Sequence, residues 1–298
     1  MPDFDVVLAD MSFTECPRWH GGRLVLADFY TRRVLALDPN GGVEELAQVP
    51  AQPSGLGWTP DGDLLVVSMR DRRILRRAAD GTLAEHADLS GIPEVTGHLN
   101  DMVVDGEGRA YVGNFGFDLM GGGSIASTVL VRVDPDGSTH VVADGLLFPN
   151  GMVITPDGAT LVVAETVGQR LTAFSIAEDG SLHDKRTWAE FAPAPTSEDL
   201  GEVLAAPTLT PDGICLDAEG AIWVADATGG RLVRVREGGE LSEERSPGTG
   251  VFACMLGGDD GRTLFACAAP SFLEHEREGT REAQVLSTRV DVAHAGRP

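Results

Sequence analysis

The stretch "PDGATLVVAETVGQRLTAFSIAEDG", Pro156 to Gly180, reads as a Pro-Asp-Gly turn, an apolar run, a tight polar gap, a second apolar run and a closing glycine turn. Apolar runs of this length, bounded by turn residues, are the signature of a β-hairpin. The unit recurs as "HGGRLVLADFYTRRVLALDP", "PDGDLLVVSMRDRRILRRAADG", "GEGRAYVGNFGF" resumed at "STVLVRVDPDG", "AEGAIWVADATGGRLVRVREGG", and "DDGRTLFACAA" resumed at "AQVLSTRVDV". Its turn glycines are Gly22, Gly62, Gly108, Gly158, Gly220 and Gly261, which follow one another at 40, 46, 50, 62 and 41 residues. Repeats of this length with strand-type patterning and almost no helical periodicity predict an all-β fold, a six-bladed β-propeller of four-stranded blades. A sandwich needs no repeated blade unit, and the coils of a parallel solenoid are shorter. One domain over residues 1–298 is expected, its ring closed by pairing "FDVVLA" near the N-terminus with "VLSTRVDV" of the last repeat, which removes open edges.

Composition narrows the function. The formal charge of −23 at pH 7 repels phosphates and excludes nucleic acid or an acidic membrane surface as expected partners. The N-terminal segment has no basic region followed by an apolar core, and no eighteen apolar residues run together, so a cytoplasmic location is expected. Cys16, Cys215, Cys254 and Cys267 lie far apart without C-x-x-C spacing and are read as buried thiols.

The innermost strand of each blade lines the central channel, so equivalent positions in the repeats converge on one axis. Eight residues before the turn glycines stand Ser54, Asn100, Asn150, Asp212 and Ala253; Glu15 stands seven before Gly22. Three copies read "PSGL", "PNGM" and "PDGI", where proline fixes the backbone on one side and glycine permits close approach on the other. Glu15, Asn100, Asn150 and Asp212 offer two carboxylates and two amide oxygens, donors suited to a hard divalent cation that takes about 6–8 oxygens when it is calcium. Asn, Asp and Ser before Gly are also common turn formers. Against that reading stands the set of four, in register, with no basic residue at these positions to offset two carboxylates that would otherwise repel. One divalent cation is expected: calcium first, with magnesium, manganese or zinc as alternatives.

The segments "TECPRW", "HLNDMVVDGEGRAYVGN", "FPNGMVITPDGATLVVAET" and "PDGICLDAEGAIWVAD" resemble, in this order and over nearly the whole chain, the senescence-marker-protein/gluconolactonase (regucalcin-like) family. More distantly they are similar to the calcium-dependent phosphotriesterase propeller of the diisopropylfluorophosphatase type. The resemblance implies a metal-dependent hydrolase that opens a lactone ring. It implies Glu15, Asn100, Asn150 and Asp212 as metal ligands, with Asp212 also the catalytic carboxylate. A phosphotriesterase or esterase on the same ion, and a non-catalytic calcium-binding propeller, are the alternatives.

One departure bears on the substrate. Sugar-lactone members of the family place an arginine two residues before the first asparagine, where this chain has His98. The neighbouring insert "NFGFDLMGGGSIAST" brings Phe115, Phe117, Leu119 and Met120 into a glycine-rich loop. A small-molecule lactone or ester less polar than gluconolactone is therefore expected, with His98, Phe115 and Ser54 at the substrate. The Pro-rich acidic segment between Gly158 and Gly220 reads as a long connection, a lid or rim.

Overall fold

In the computed structural model, which describes residues 4–206 and 208–296, all six turn glycines have positive φ, from 70° at Gly261 to 89° at Gly62. Glycine adopts this left-handed conformation without steric cost, and so it fixes where each hairpin turns. The chain forms six four-stranded antiparallel sheets arranged as a six-bladed β-propeller. The innermost strands are Thr14–His20, Pro53–Trp58, Leu99–Val104, Pro149–Ile154, Pro211–Leu216 and Gly250–Gly257. Each is followed outward by the next strands in sequence, except in the last blade, whose outermost strand, Asp5–Met11, comes from the N-terminus and pairs with Ala283–Arg289.

Burial grades outward within a blade and follows the sequence. In the fourth blade, Pro149–Ile154 is wholly buried, Thr160–Glu165 and Arg170–Ile176 are mostly buried, and Leu182–Glu190 exposes its charged residues to solvent. Inner strands are covered on both faces by neighbouring blades and so need continuous apolar runs; an outer strand has one wet side and tolerates charge.

The inner strands also approach each other closely. A methyl group placed on Gly55 would lie 2.4 Å from the Met102 nitrogen, and one on Gly151 would lie 2.6 Å from the Ile214 nitrogen. The glycine of each Pro-x-Gly triplet is thus dictated by the backbone of the next blade.

A second repeated device sets the entry to these strands. At the end of the second strand in three blades stands a buried carboxylate: Asp28, Glu165 or Asp226. Each accepts from a backbone N–H of the chain entering the inner strand: Phe13 at 3.1 Å, Leu147 at 2.7 Å and Thr210 at 3.1 Å respectively. Each also pairs with an arginine five residues on, Arg33, Arg170 or Arg231. These contacts position the segments that carry Glu15, Asn150 and Asp212.

Two details of register differ from a uniform repeat. In the first blade, residues 20–23 separate the paired Trp19 and Leu24, whereas residues 59–63 separate Trp58 and Leu64. This turn is one residue shorter, which accounts for Glu15 standing seven rather than eight before its glycine. In the sixth blade the register shift falls between Val251 and Ala253, and Phe252, not Ala253, reaches the central cavity. Among the described residues, no helix is long and apolar enough to cross a membrane.

Candidate metal and substrate site

Glu15, Asn100, Asn150 and Asp212 come from four different blades and line one cavity of about 690 Å³, open mouth included. All four are buried. Asn100 is oriented directly by the next blade, and Asn150 by a threonine of its own blade that is itself bound to the next. The Asn100 Nδ2 donates to the Pro149 carbonyl at 3.2 Å, and a carbonyl can only accept, so the side-chain oxygen of Asn100 is left free. The Asn150 Nδ2 donates at 3.1 Å to the Thr166 hydroxyl, which itself donates to the Pro211 carbonyl at 2.8 Å. Pro149 directly precedes Asn150, and Pro211 directly precedes Asp212. Each asparagine is therefore fixed by way of the residue that presents the next member of the ring.

The carboxylates carry the electrostatic signature. Burial pushes the Glu15 carboxyl up to about 8; its own bond from the Cys16 N–H at 2.9 Å opposes this, Asp101 adds to it and Arg18 offsets it. Asp212 is also raised well above the ordinary carboxylate range, first by burial and then by the charges of Glu15 and Asp101, with the Asn150 amide acting against the rise. Two uncompensated acidic groups at one cavity floor are what a cation would relieve. Among the described residues, no group of three or more His, Cys, Asp or Glu side chains is set to hold an ion. The set here has two acidic members and depends on its amide oxygens, which suits a hard cation and not a thiolate or imidazole site.

The walls above this floor are apolar. Phe13, Phe29, Phe115, Phe148, Phe252 and Phe272 face the cavity, together with Leu119 and Met120 of the glycine-rich loop. Leu200 and Leu204, from the short helix Leu200–Leu204 in the long connection, also line it. That connection is joined to the glycine-rich loop by the Ile125 N–H, which donates to the Glu198 carbonyl at 2.9 Å. Among the described residues, no arginine, lysine or histidine lines the cavity.

The residues expected at the substrate divide. Phe115 lines the cavity and packs edge-on to Phe148, with ring centres 4.8 Å apart. Phe117, by contrast, packs behind, against Phe148 at 5.9 Å. His98 and Ser54 are not among the lining residues. The half-buried His98 ring sits 6.2 Å from Phe115, and Ser54 is fully buried with its hydroxyl 3.5 Å from the Cys16 sulfur.

Residues 13–269 match the family model described as SMP-30/gluconolactonase/LRE-like region. The chain belongs to this SMP-30/gluconolactonase family. A pentonolactonase, XacC, from Haloferax volcanii is 29% identical over 95% of this chain and 92% of its own. A 6-deoxy-6-sulfogluconolactonase from Pseudomonas putida is 27% identical over 95% and 93%. Among solved structures, a calcium-binding protein, regucalcin, from Agrobacterium tumefaciens superposes with a TM-score of 0.79 at 20% identity, covering 100% of this chain and 97% of that one. A gluconolactonase from Xanthomonas campestris gives 0.72 at 25% identity, covering 96% and 89%.

Within this SMP-30/gluconolactonase propeller, two contributors escape a reading of the counted ring positions alone. Thr166 lies just past a second strand, in a segment whose composition marks only a turn. Arg18, four residues from its turn glycine, is buried and binds Asp101 at 2.7 Å. An arginine beside the ring is thus present after all, engaged with a third carboxylate instead of with Glu15 or Asp212.

Proposed function

We propose that this protein is a divalent-metal-dependent lactone hydrolase acting on a lactone less polar than gluconolactone. The observation that carries the reading is the pairing of a floor of two buried carboxylates and two oriented amides with aromatic walls. Glu15, Asn100, Asn150 and Asp212 are the proposed ligands, and the lactonase names of the relatives support the reaction. When bound, a divalent cation polarises the ring carbonyl and lowers the pKa of a water molecule.

The chain's own groups supply the rest. Asp212 takes a proton from the attacking water, and that proton passes to the ring oxygen as the acyl C–O bond breaks, leaving a hydroxy acid. The phenyl rings exclude bulk water and hold the apolar part of the substrate. Polar groups on the upper wall are already engaged. The Tyr30 hydroxyl donates to the Phe272 carbonyl at 3.3 Å, and Thr228 and Thr210 share a hydrogen bond of 2.8 Å. A polyhydroxylated sugar acid would find few free partners there, leaving its hydroxyls desolvated. Phe115 is the proposed substrate contact; His98 acts behind it as support.

The test is acid release from a panel of alkyl-, aryl- and sugar lactones with calcium supplied. Turnover of alkyl- or aryl-substituted lactones in preference to gluconolactone supports the reading. Preference for the sugar lactone overturns the substrate assignment, and response to phosphotriesters alone overturns the reaction.

A further inference from the structure

Beside the proposed ligands Glu15 and Asn100 lies a buried ion pair that belongs to no catalytic step described above. Arg18 Nη2 meets Asp101 Oδ1 at 2.7 Å with both side chains almost wholly buried. The guanidinium also donates to the Met102 and Pro17 carbonyls at 2.7 and 2.9 Å, while Asp101 accepts from the Met102 N–H at 2.8 Å. The two residues come from different blades. Asp101 adjoins Asn100, Arg18 follows Glu15 by three positions, and the Asp101 charge acts on both Glu15 and Asp212.

Formal charges at the centre are then simple to count. Glu15, Asp101 and Asp212 contribute three negative charges and Arg18 one positive charge, leaving two. We infer that Arg18 is a positioning and charge-setting residue that cancels the Asp101 charge, so that the pair leaves the cation site at two negative charges and Arg18 thereby sets the ratio of its affinities for divalent and trivalent ions. In a buried setting a unit charge nearby is poorly screened, and a change of one charge acts half again as strongly on a trivalent ion as on a divalent one. The pair also joins the first and third blades at the level of the ring, so that the ligands on either side keep their spacing.

The inference rests on the four-ligand reading proposed above, and the experiment separates the two. Calcium and terbium(III), each supplied alone to chelated full-length protein, are titrated calorimetrically, and the ratio of their affinities is compared between variants. Arg18→Met leaves Asp101 uncompensated, and the ratio should move toward terbium by about tenfold or more. Asp101→Asn should move it the opposite way, and it reads the same claim if Arg18→Met does not fold. The double variant R18M/D101N should return the ratio to that of the parent, as should Arg18→Lys. A pair with a purely structural role would lower both affinities together, and a ratio constant within about twofold in both single variants overturns the inference. Failure of the parent protein to bind either ion overturns the four-ligand reading itself.

Discussion

Asn150 and Thr166 are joined by a hydrogen bond of 3.1 Å in which the amide must be the donor, because the threonine hydroxyl spends its proton on the Pro211 carbonyl at 2.8 Å. The orientation of the amide follows from this chemistry and does not depend on distinguishing nitrogen from oxygen. Its consequence is an oxygen turned to the cavity and a threonine whose task is to keep it there.

Thr166→Val keeps the shape of the side chain and removes the acceptor. Calcium affinity is expected to fall by roughly 10-fold to 100-fold, as for other groups that orient ligands. A calorimetric titration checks this, with the unfolding midpoint of the calcium-free protein as control. Unchanged affinity would mean that Asn150 needs no such support.

Stability of the calcium-free protein should depend on pH in a direction opposite to that of an ordinary salt-bridged carboxylate. Burial, the largest cause, raises Glu15 to about 8 from an ordinary 4.5, and Asp212 moves the same way. Between these values the folded chain holds a proton that the unfolded chain has released, so stability is lost as pH rises through that window. The melting temperature after chelation is expected to be higher at pH 5.5 than at pH 8, and excess calcium should reverse the order. Differential scanning calorimetry with and without calcium measures it.

Gly151→Ala tests the blade-to-blade approach. Its methyl group would lie 2.6 Å from the Ile214 nitrogen and 2.7 Å from the Asp212 carbonyl oxygen, both backbone atoms that cannot swing aside. A loss of about 1–3 kcal/mol is expected, with weaker calcium binding because Asp212 is displaced. Thermal unfolding and the calcium titration report the two effects separately.

Phe115→Ala opens the aromatic wall where the phenyl ring meets the cavity. For an aryl-substituted lactone, KM should rise by roughly tenfold, the order expected for one lost apolar contact. An unsubstituted lactone of the same ring size should change little. Equal losses for both would show that the ring supports the loop and does not meet the substrate.

Much of the fold was legible because the propeller repeats its own constraints. Each turn glycine is placed by a positive φ and each Pro-x-Gly glycine by a neighbouring backbone, so local chemistry and the global ring coincide. The ring positions emerged from counting, except where spacing varied: a turn shortened by one residue offset Glu15, and the earlier register shift in the last blade put Phe252 at the cavity in place of Ala253. What could not be counted were partners reached through space. Arg18 meets Asp101 across 83 positions of sequence, and Thr166 acts on the residue sixteen positions before it across a hairpin. Ser54 shares the ring spacing but turns to the Cys16 thiol, and spacing alone carries no information on side-chain direction.

The most direct test of the account is stoichiometric reactivation. The protein is stripped with a chelator, and hydrolysis of an alkyl- or aryl-substituted lactone is followed as calcium is added back in fractions of an equivalent, for the parent and for Glu15→Gln and Asp212→Asn. The account predicts negligible turnover at zero calcium, a linear return that saturates at one ion per chain, and no return in either folded variant. Full turnover in the stripped protein, or reactivation of the variants to the parent level, would contradict it.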